Sequence, residues 1–271
     1  MWSSSFVTAR VGLRLVTPLL FVGVRLLAAA LILFAAMVAR RESWASLRGR
    51  WHHLALAGAL VNGVTLGVFH VGMVTVDAAV MALMQALSPL LIALLAGPLL
   101  GERLRARQWI GILLGLVGVL LVVGPRAAHS RAELTAILLG LIGVAGLGGG
   151  TLYFGRHGRG VPLLPATAVQ LAAAAMLVLL AMALFETPRA TWSFPAVASV
   201  AWNVAVVSIG GMSLYYFMLN RGAAGRVAAN FYLVPGVVAL LGWSLLGESL
   251  TPLALAGLAV ASLGVWLTQS T

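Results

Sequence analysis

Apolar runs close to the thickness of a lipid bilayer recur from one end of this chain to the other, separated by short polar connections. A helix that crosses the hydrocarbon needs ~20 apolar residues. Segments near that size fall at roughly 1–16, 18–39, 54–75, 77–100, 108–124, 135–154, 165–185, 196–218, 226–247 and 252–269. Most far exceed a barrel strand and lack its alternation, so the helix is the form that can satisfy its own backbone there. Composition points the same way: 62% of residues are hydrophobic and only 8% charged, whereas a soluble domain carries about 25% charged residues. The chain is expected to be an all-α integral membrane protein with ten transmembrane helices in a lipid bilayer.

The charges it does carry set a direction. All 17 basic residues are arginine, and the formal net charge is +11. In a soluble protein that excess would suggest nucleic acid. Here the arginines lie between apolar runs and read as topology, so no nucleic-acid partner is expected. Connections 2–3, 4–5, 6–7 and 8–9 hold Arg40, Arg41, Arg48, Arg50, Arg103, Arg105, Arg107, Arg156, Arg159, Arg221 and Arg226. The other side holds Arg14, Arg126, Arg131 and Arg189 in or beside its connections. By the positive-inside rule both termini are cytoplasmic. The start, Met1-Trp2-Ser3-Ser4-Ser5, runs directly into apolar sequence without the cationic opening of a signal peptide. There is no cysteine, hence no disulfide framework and no thiolate metal site.

One stretch occurs twice. Pro89, Leu100-Gly101-Glu102, Gly111 and Gly118 return as Pro235, Leu246-Gly247-Glu248, Gly257 and Gly264, all at an offset of 146 residues. Two halves, 1–127 and 128–271, then have five spans each. An odd number of spans makes the second half enter the membrane from the opposite side, so the duplication is expected to be an inverted repeat. The first helix looks short: its counterpart near Thr135 implies a start about a dozen residues before Met1.

These paired motifs, with Trp2-Ser3-Ser4-Ser5-Phe6-Val7 and Pro18 through Arg25-Leu26-Leu27-Ala28, resemble the EamA-like branch of the drug/metabolite transporter superfamily over essentially the whole chain. The resemblance implies export or exchange of small metabolites, amino acids in particular, from a cavity between the two halves. An arginine at the position of Arg25 belongs to the family pattern.

Several residues stand out against this background. Pro89 and Pro235 lack an amide hydrogen and free the carbonyls of Gln85 and Phe231, either as kinks lining a pathway or as packing features. Glu102 and Glu248 follow glycine at helix ends and are expected to cap helices five and ten. Asp77 is expected as a cap between helices three and four. Arg25 lies about seven residues inside helix two, facing the bundle interior or snorkelling outward. His70 and Tyr216, Gln85 and Phe231, and Met84 and Asn230 are pairs at the 146-residue offset, suited to a midplane substrate site or to interhelical hydrogen bonds. Asn62, Gln170, Asn203 and Tyr215 could join them, and Tyr153 could add an aromatic wall. Gly146-x-Gly148-Gly149-Gly150 marks either a close helix approach or a loosened helix beside a cavity, and its unusual partner stretch favours the cavity. Gly111-x-x-x-Gly115 and Gly257-x-x-x-Ala261 read as packing faces.

The expected activity is a transporter that exports or exchanges a small-molecule substrate, amino acids or related zwitterions first and amphiphilic drugs second, by alternating access. No carboxylate sits at the centre of a span, so exchange or facilitated diffusion is expected over strict proton antiport. No cofactor is implied, and no His/Asp/Glu cluster has metal-ligand spacing. An intramembrane enzyme would need a nucleophile paired with His70, and no motif fixes one. A non-transporting scaffold is the third reading. No oligomeric state is legible.

Overall fold

The computed structural model describes residues 2–42, 44–100, 105–127, 129–158, 160–211, 214, 234–248 and 251–269. Ten apolar helical segments follow one another: α1 (Trp2–Gly12), α2 (Pro18–Ala39), α3 (Trp51–Gly72), α4 (Ala78–Gln85 and Ser88–Leu100), α5 (Ala106–Ala127), α6 (Arg131–His157), α7 (Leu163–Phe185), α8 (Phe194–Gly211), α9 (Val234–Leu246) and α10 (Pro252–Gln269). Among the described residues there is no strand, only a single antiparallel bridge between Val16 and Ala190. Six helices (α2, α3, α5, α6, α7 and α8) are individually long and apolar enough to cross a membrane. The apolar stretches of α4, α9 and α10 are shorter, and α1 has 11 residues. Among the described residues a helical segment therefore stands at each of the ten expected places, six of them long and apolar enough to span a membrane.

Local chemistry sets the boundaries. Pro18 opens α2, where a missing N–H costs nothing because the first helical amides have no intrahelical partner. α6 begins at Ser130, whose Oγ accepts the Glu133 N–H at 3.1 Å, with the carboxylate of Glu133 favourably placed in the first turn. Pro89 leaves the mark expected of it: α4 breaks into a turn at Ala86 and Leu87, because no amide at 89 can reach the Gln85 carbonyl. α9 stops at Gly247, whose φ of +70° suits a residue without a Cβ, and the Glu248 N–H closes back on the Gly242 carbonyl at 3.1 Å.

Two helices are interrupted by π-turns, Ala59–Val64 within α3 and Asn203–Gly211 within α8. The second covers the positions 146 residues beyond the first. α2 packs along α7, α5 along α10, α1 on α8, and α6 on α3. Loops 1–2, 3–4, 7–8 and 9–10 gather at one end, joined by contacts such as Thr17 N–H to the Arg189 carbonyl (3.0 Å) and Ala78 N–H to Glu248 (3.0 Å). The opposite end brings Arg50, His53 and His157 together. The core is aliphatic and methionine-rich, with Phe21, Phe69, Met81 and Met84 fully buried, while Leu31, Leu120, Met176 and Phe194 look outward as lipid-facing residues must.

Glycines decide how closely the helices meet. A Cβ at Gly118 would strike the Ala261 backbone, and one at Gly264 the backbone of Gly115, so the two small-residue faces do pack α5 on α10. The glycine-rich stretch of α6 is also a contact surface. A Cβ at Gly146 would lie 3.0 Å from the Leu60 carbonyl, and one at Gly150 would crowd Val61. The cavity reading of that stretch is corrected: α6 has no side chains there because α3 lies against it. Gly149 alone in the stretch meets nothing. Gly118→Ala should therefore lower thermal stability in detergent, by about 1–3 kcal/mol of overpacking. Gly149→Ala should leave it unchanged or raise it by up to ~1 kcal/mol. Thermal melts of the two variants followed by circular dichroism check the contrast.

Candidate functional site

α2 turns Arg25 into the bundle, where it is 3% exposed, so the snorkelling reading does not hold. Its Nε donates to Ser208 Oγ at 3.1 Å and its Nη1 to Ser5 Oγ at 3.3 Å. Ser5 Oγ in turn donates to Asn203 Oδ1 at 2.6 Å, and Asn203 Nδ2 donates to Thr8 Oγ1 and to the Ser199 carbonyl, both at 2.9 Å. Trp202 Nε1 donates to Ser4 Oγ at 3.0 Å. Three helices, α1, α2 and α8, are thereby tied through one polar knot. The guanidinium meets hydroxyl oxygens, and among the described residues no carboxylate forms an ion pair with it.

His70 faces the same region from α3. Its Nδ1 lies 2.7 Å from the Leu66 carbonyl, and a carbonyl can only accept, so Nδ1 carries the proton and Nε2 presents a lone pair in the neutral ring. That Nε2 is buried without a partner. The ring stacks on Phe21 at 5.7 Å between centroids and 26° between planes. Phe21 and Arg25 are one helical turn apart on α2 and share a face. Arg25, Phe21 and His70 thus form a buried cation, an aromatic surface and an unused acceptor in sequence around the α2–α3 contact.

The remaining candidates scatter. Met84 is fully buried against α6, where a Cβ at Gly140 would press on its sulfur, and Gln85 ends the first piece of α4 half-buried. Asn62 and Gln170 are buried with their amide nitrogens unpartnered. Tyr153 is far from Arg25: its hydroxyl lies 2.6 Å from His53 Nδ1, beside His157 stacked on His53 at 4.5 Å, at the arginine-rich end. Among the described residues no group of His, Asp or Glu is arranged to hold a metal ion. Pro235 lies at the start of α9 as described. Tyr215, Tyr216, Asn230, Phe231 and Glu102 lie outside the described residues, and so does the carbonyl that Pro235 was expected to free.

The capping expectations need correction. Glu248 does not cap α10, whose first turn is held by Thr251 Oγ1 accepting the Ala254 N–H at 3.1 Å. The Glu248 carboxylate crosses the bundle instead and accepts the Ala78 N–H of α4 at 3.0 Å. Asp77, although the N-cap residue of α4, makes no capping bond with its side chain. Ser5, Thr8 and Ser208 were not among the candidate polar residues; no spacing in the sequence sets them apart from serines and threonines that bond only within their own helix.

A helical bundle with lipid-facing apolar surfaces, broken and π-bulged helices and an ionisable knot in its interior is a multi-pass membrane protein of the transporter class. The profile of the EamA-like transporter family matches residues 1–124 and again 134–269, and the chain belongs to that family. It is similar to the "Uncharacterized inner membrane transporter YedA" of Escherichia coli K12, 28% identical over 257 residues that cover 93% of this chain and 81% of the relative. It is also similar to the "Probable terminal-alkyne amino-acid exporter" of Streptantibioticus cattleyicolor, at 29% identity over 222 residues, 79% of this chain and 71% of the relative. A solved crystal structure shares the fold with a TM-score of 0.70 at 20% identity, covering 98% of this chain and 94% of its own.

Asn203→Leu would leave the buried Ser5 hydroxyl without its acceptor and remove a donor from Thr8, which keeps its bond to the Ser4 carbonyl. It should destabilise the protein by about 1–3 kcal/mol, read as a lower melting temperature in detergent, whereas Ser244→Ala on the exposed face of α9 should be neutral.

Proposed function

We propose that this transporter exports or exchanges a small metabolite bearing a carboxylate, amino acids or related zwitterions, across the inner membrane by alternating access between two inverted five-helix halves. The observation that carries the substrate class is Arg25, a buried guanidinium whose partners among the described residues are neutral. An uncompensated charge inside a membrane bundle is expensive, and a substrate carboxylate supplies the missing counter-ion. The lone pair of His70 Nε2 suits the ammonium of the same molecule, and Phe21 stacks on the His70 ring. The relative named as an amino-acid exporter supports this choice.

The inverted repeat is supported by three independent regularities. The family profile matches twice. The interrupted stretches of α3 and α8 occupy equivalent positions. The contacts between halves pair off as a pseudo-two-fold axis requires, α1 on α8 answering α6 on α3, with α2–α7 and α5–α10 each their own counterpart. The charge asymmetry supports a cytoplasmic position for the arginine-rich end and both termini. The acidic residues among those described all lie at helix ends or in loops, which favours exchange over strict proton antiport.

Counterflow of radiolabelled amino acids in proteoliposomes tests the proposal. The protein should exchange substrates with a free carboxylate and ignore their amides. Arg25→Gln should cut exchange at least tenfold, the scale of a lost charge-assisted hydrogen bond of about 1.5–3 kcal/mol, and Arg25→Lys should retain part of it. Wild-type exchange in a folded Arg25→Gln variant, or equal transport of the amides, would remove the carboxylate from the account. Uptake driven uphill by a pH gradient alone would contradict the exchange mode.

A further inference from the structure

At the end of the bundle opposite the arginine-rich face, two carboxylates from the second half of the chain sit on helix N-termini of the first half, and they are held differently. Glu186 accepts the Leu19 and Leu20 N–H groups of α2 at 2.8 and 2.9 Å, one with each oxygen. Loop contacts flank it, with Thr17 N–H to the Arg189 carbonyl at 3.0 Å and Thr191 N–H to the Leu15 carbonyl at 2.8 Å. Glu248 accepts one amide, Ala78 N–H, at 3.0 Å, and Arg10 Nε stands 3.9 Å from the same oxygen. Its other oxygen, Oε2, is buried with no partner. Each oxygen of Glu186 has an amide donor where it is. Glu248 leaves a buried charged oxygen short of donors, a cost that solvation on release would remove.

The sequence separates the two in the same way. Arg10, Ala78 and Glu248 have Arg156, Ala224 and Glu102 at the 146-residue offset, whereas the position answering Glu186 is Arg40. A fastening needed at each end of a carrier in turn must be encoded twice. A permanent one needs to be encoded once. Local geometry also serves Glu248 alone: Gly247 takes φ +70° to turn the chain, and Gly242 has no Cβ where one would collide with Glu248 Oε2.

We propose that Glu248, the N-terminus of α4 and Arg10 form a releasable latch that closes the outer end of the carrier in this conformation, while Glu186 is a fixed pin between α7 and α2. The latch joins α1 and α4 of one half to the α9–α10 turn of the other, so the outer end cannot open without Glu248 leaving Ala78. This rests on the alternating-access reading above, but its test needs no substrate. The chain has no cysteine, so Ala78→Cys, at a position fully buried beneath Glu248, creates a single reporter thiol. Labelling by a membrane-impermeant maleimide, measured in right-side-out and inside-out vesicles, reads opening directly.

Adding Glu248→Gln or Gly242→Ala should raise the labelling rate from the outer face on the order of tenfold. Adding Glu186→Gln should leave that rate unchanged and lower the melting temperature instead. An unchanged rate in both latch variants, an equal rise with Glu186→Gln, or labelling from the cytoplasmic face would overturn the latch. Failure of amino-acid exchange would count against the substrate proposal and leave these rates untouched.

Discussion

Lipid offers a backbone amide nothing to bond, and this one deficit shapes the molecule. Inside each helix the i to i−4 ladder supplies the partners, which is why the chain is helical throughout its described spans. The ladder fails at helix ends, at proline and at π-turns, and each failure must be met by another part of the protein. At the end opposite the arginine-rich face the amides that open α2 and α4 receive carboxylates from 166 to 170 residues away. In the interior, the distorted stretch of α8 supplies Asn203 and Ser208 to the knot around Arg25. The links between the two halves of the chain are thus placed where single helices cannot satisfy themselves.

That distribution explains what was legible in the sequence. Hydropathy is a property of neighbouring residues, so the spans could be placed to within a few residues, and the break at Pro89 follows from the geometry of one ring. The offset of 146 residues is likewise visible without a structure. The inward turn of Arg25 was one of two open readings, and burial selected it. The partner of Glu248 was not legible, because the carboxylate is far in sequence from the amide it meets and a nearer helix start, that of α10, has Thr251 to itself.

The hydroxyls were opaque for a different reason. Serine and threonine in a membrane helix commonly bond back to their own carbonyls: Thr151 does so with Leu147 at 2.6 Å and Thr135 with Arg131 at 2.9 Å. Ser5 and Ser208 cross between helices instead, and nothing local distinguishes them. Glycine in α6 was ambiguous in a related way. A missing side chain signals that something comes near, and only the packed structure shows that the something is α3 rather than a ligand.

Among the described residues, buried polar side-chain atoms without a partner are confined to Asn62, His70, Ser88, Gln170 and Glu248. Interhelical hydrogen bonds in membranes contribute only ~0.6 kcal/mol on average, so a bundle can exchange one set for another at small net cost, provided no group is stranded meanwhile. Arg25 is surrounded by neutral acceptors, His70 retains a lone pair, and Glu248 keeps an oxygen without a donor. Each is stable enough to persist and short of one partner. In the proposed function a ligand completes the first two, and in the proposed latch solvent reaches the third only on release. A rigid pore would gain by satisfying all three internally. A protein that must let go of its cargo and of its own closed end gains by leaving them incomplete.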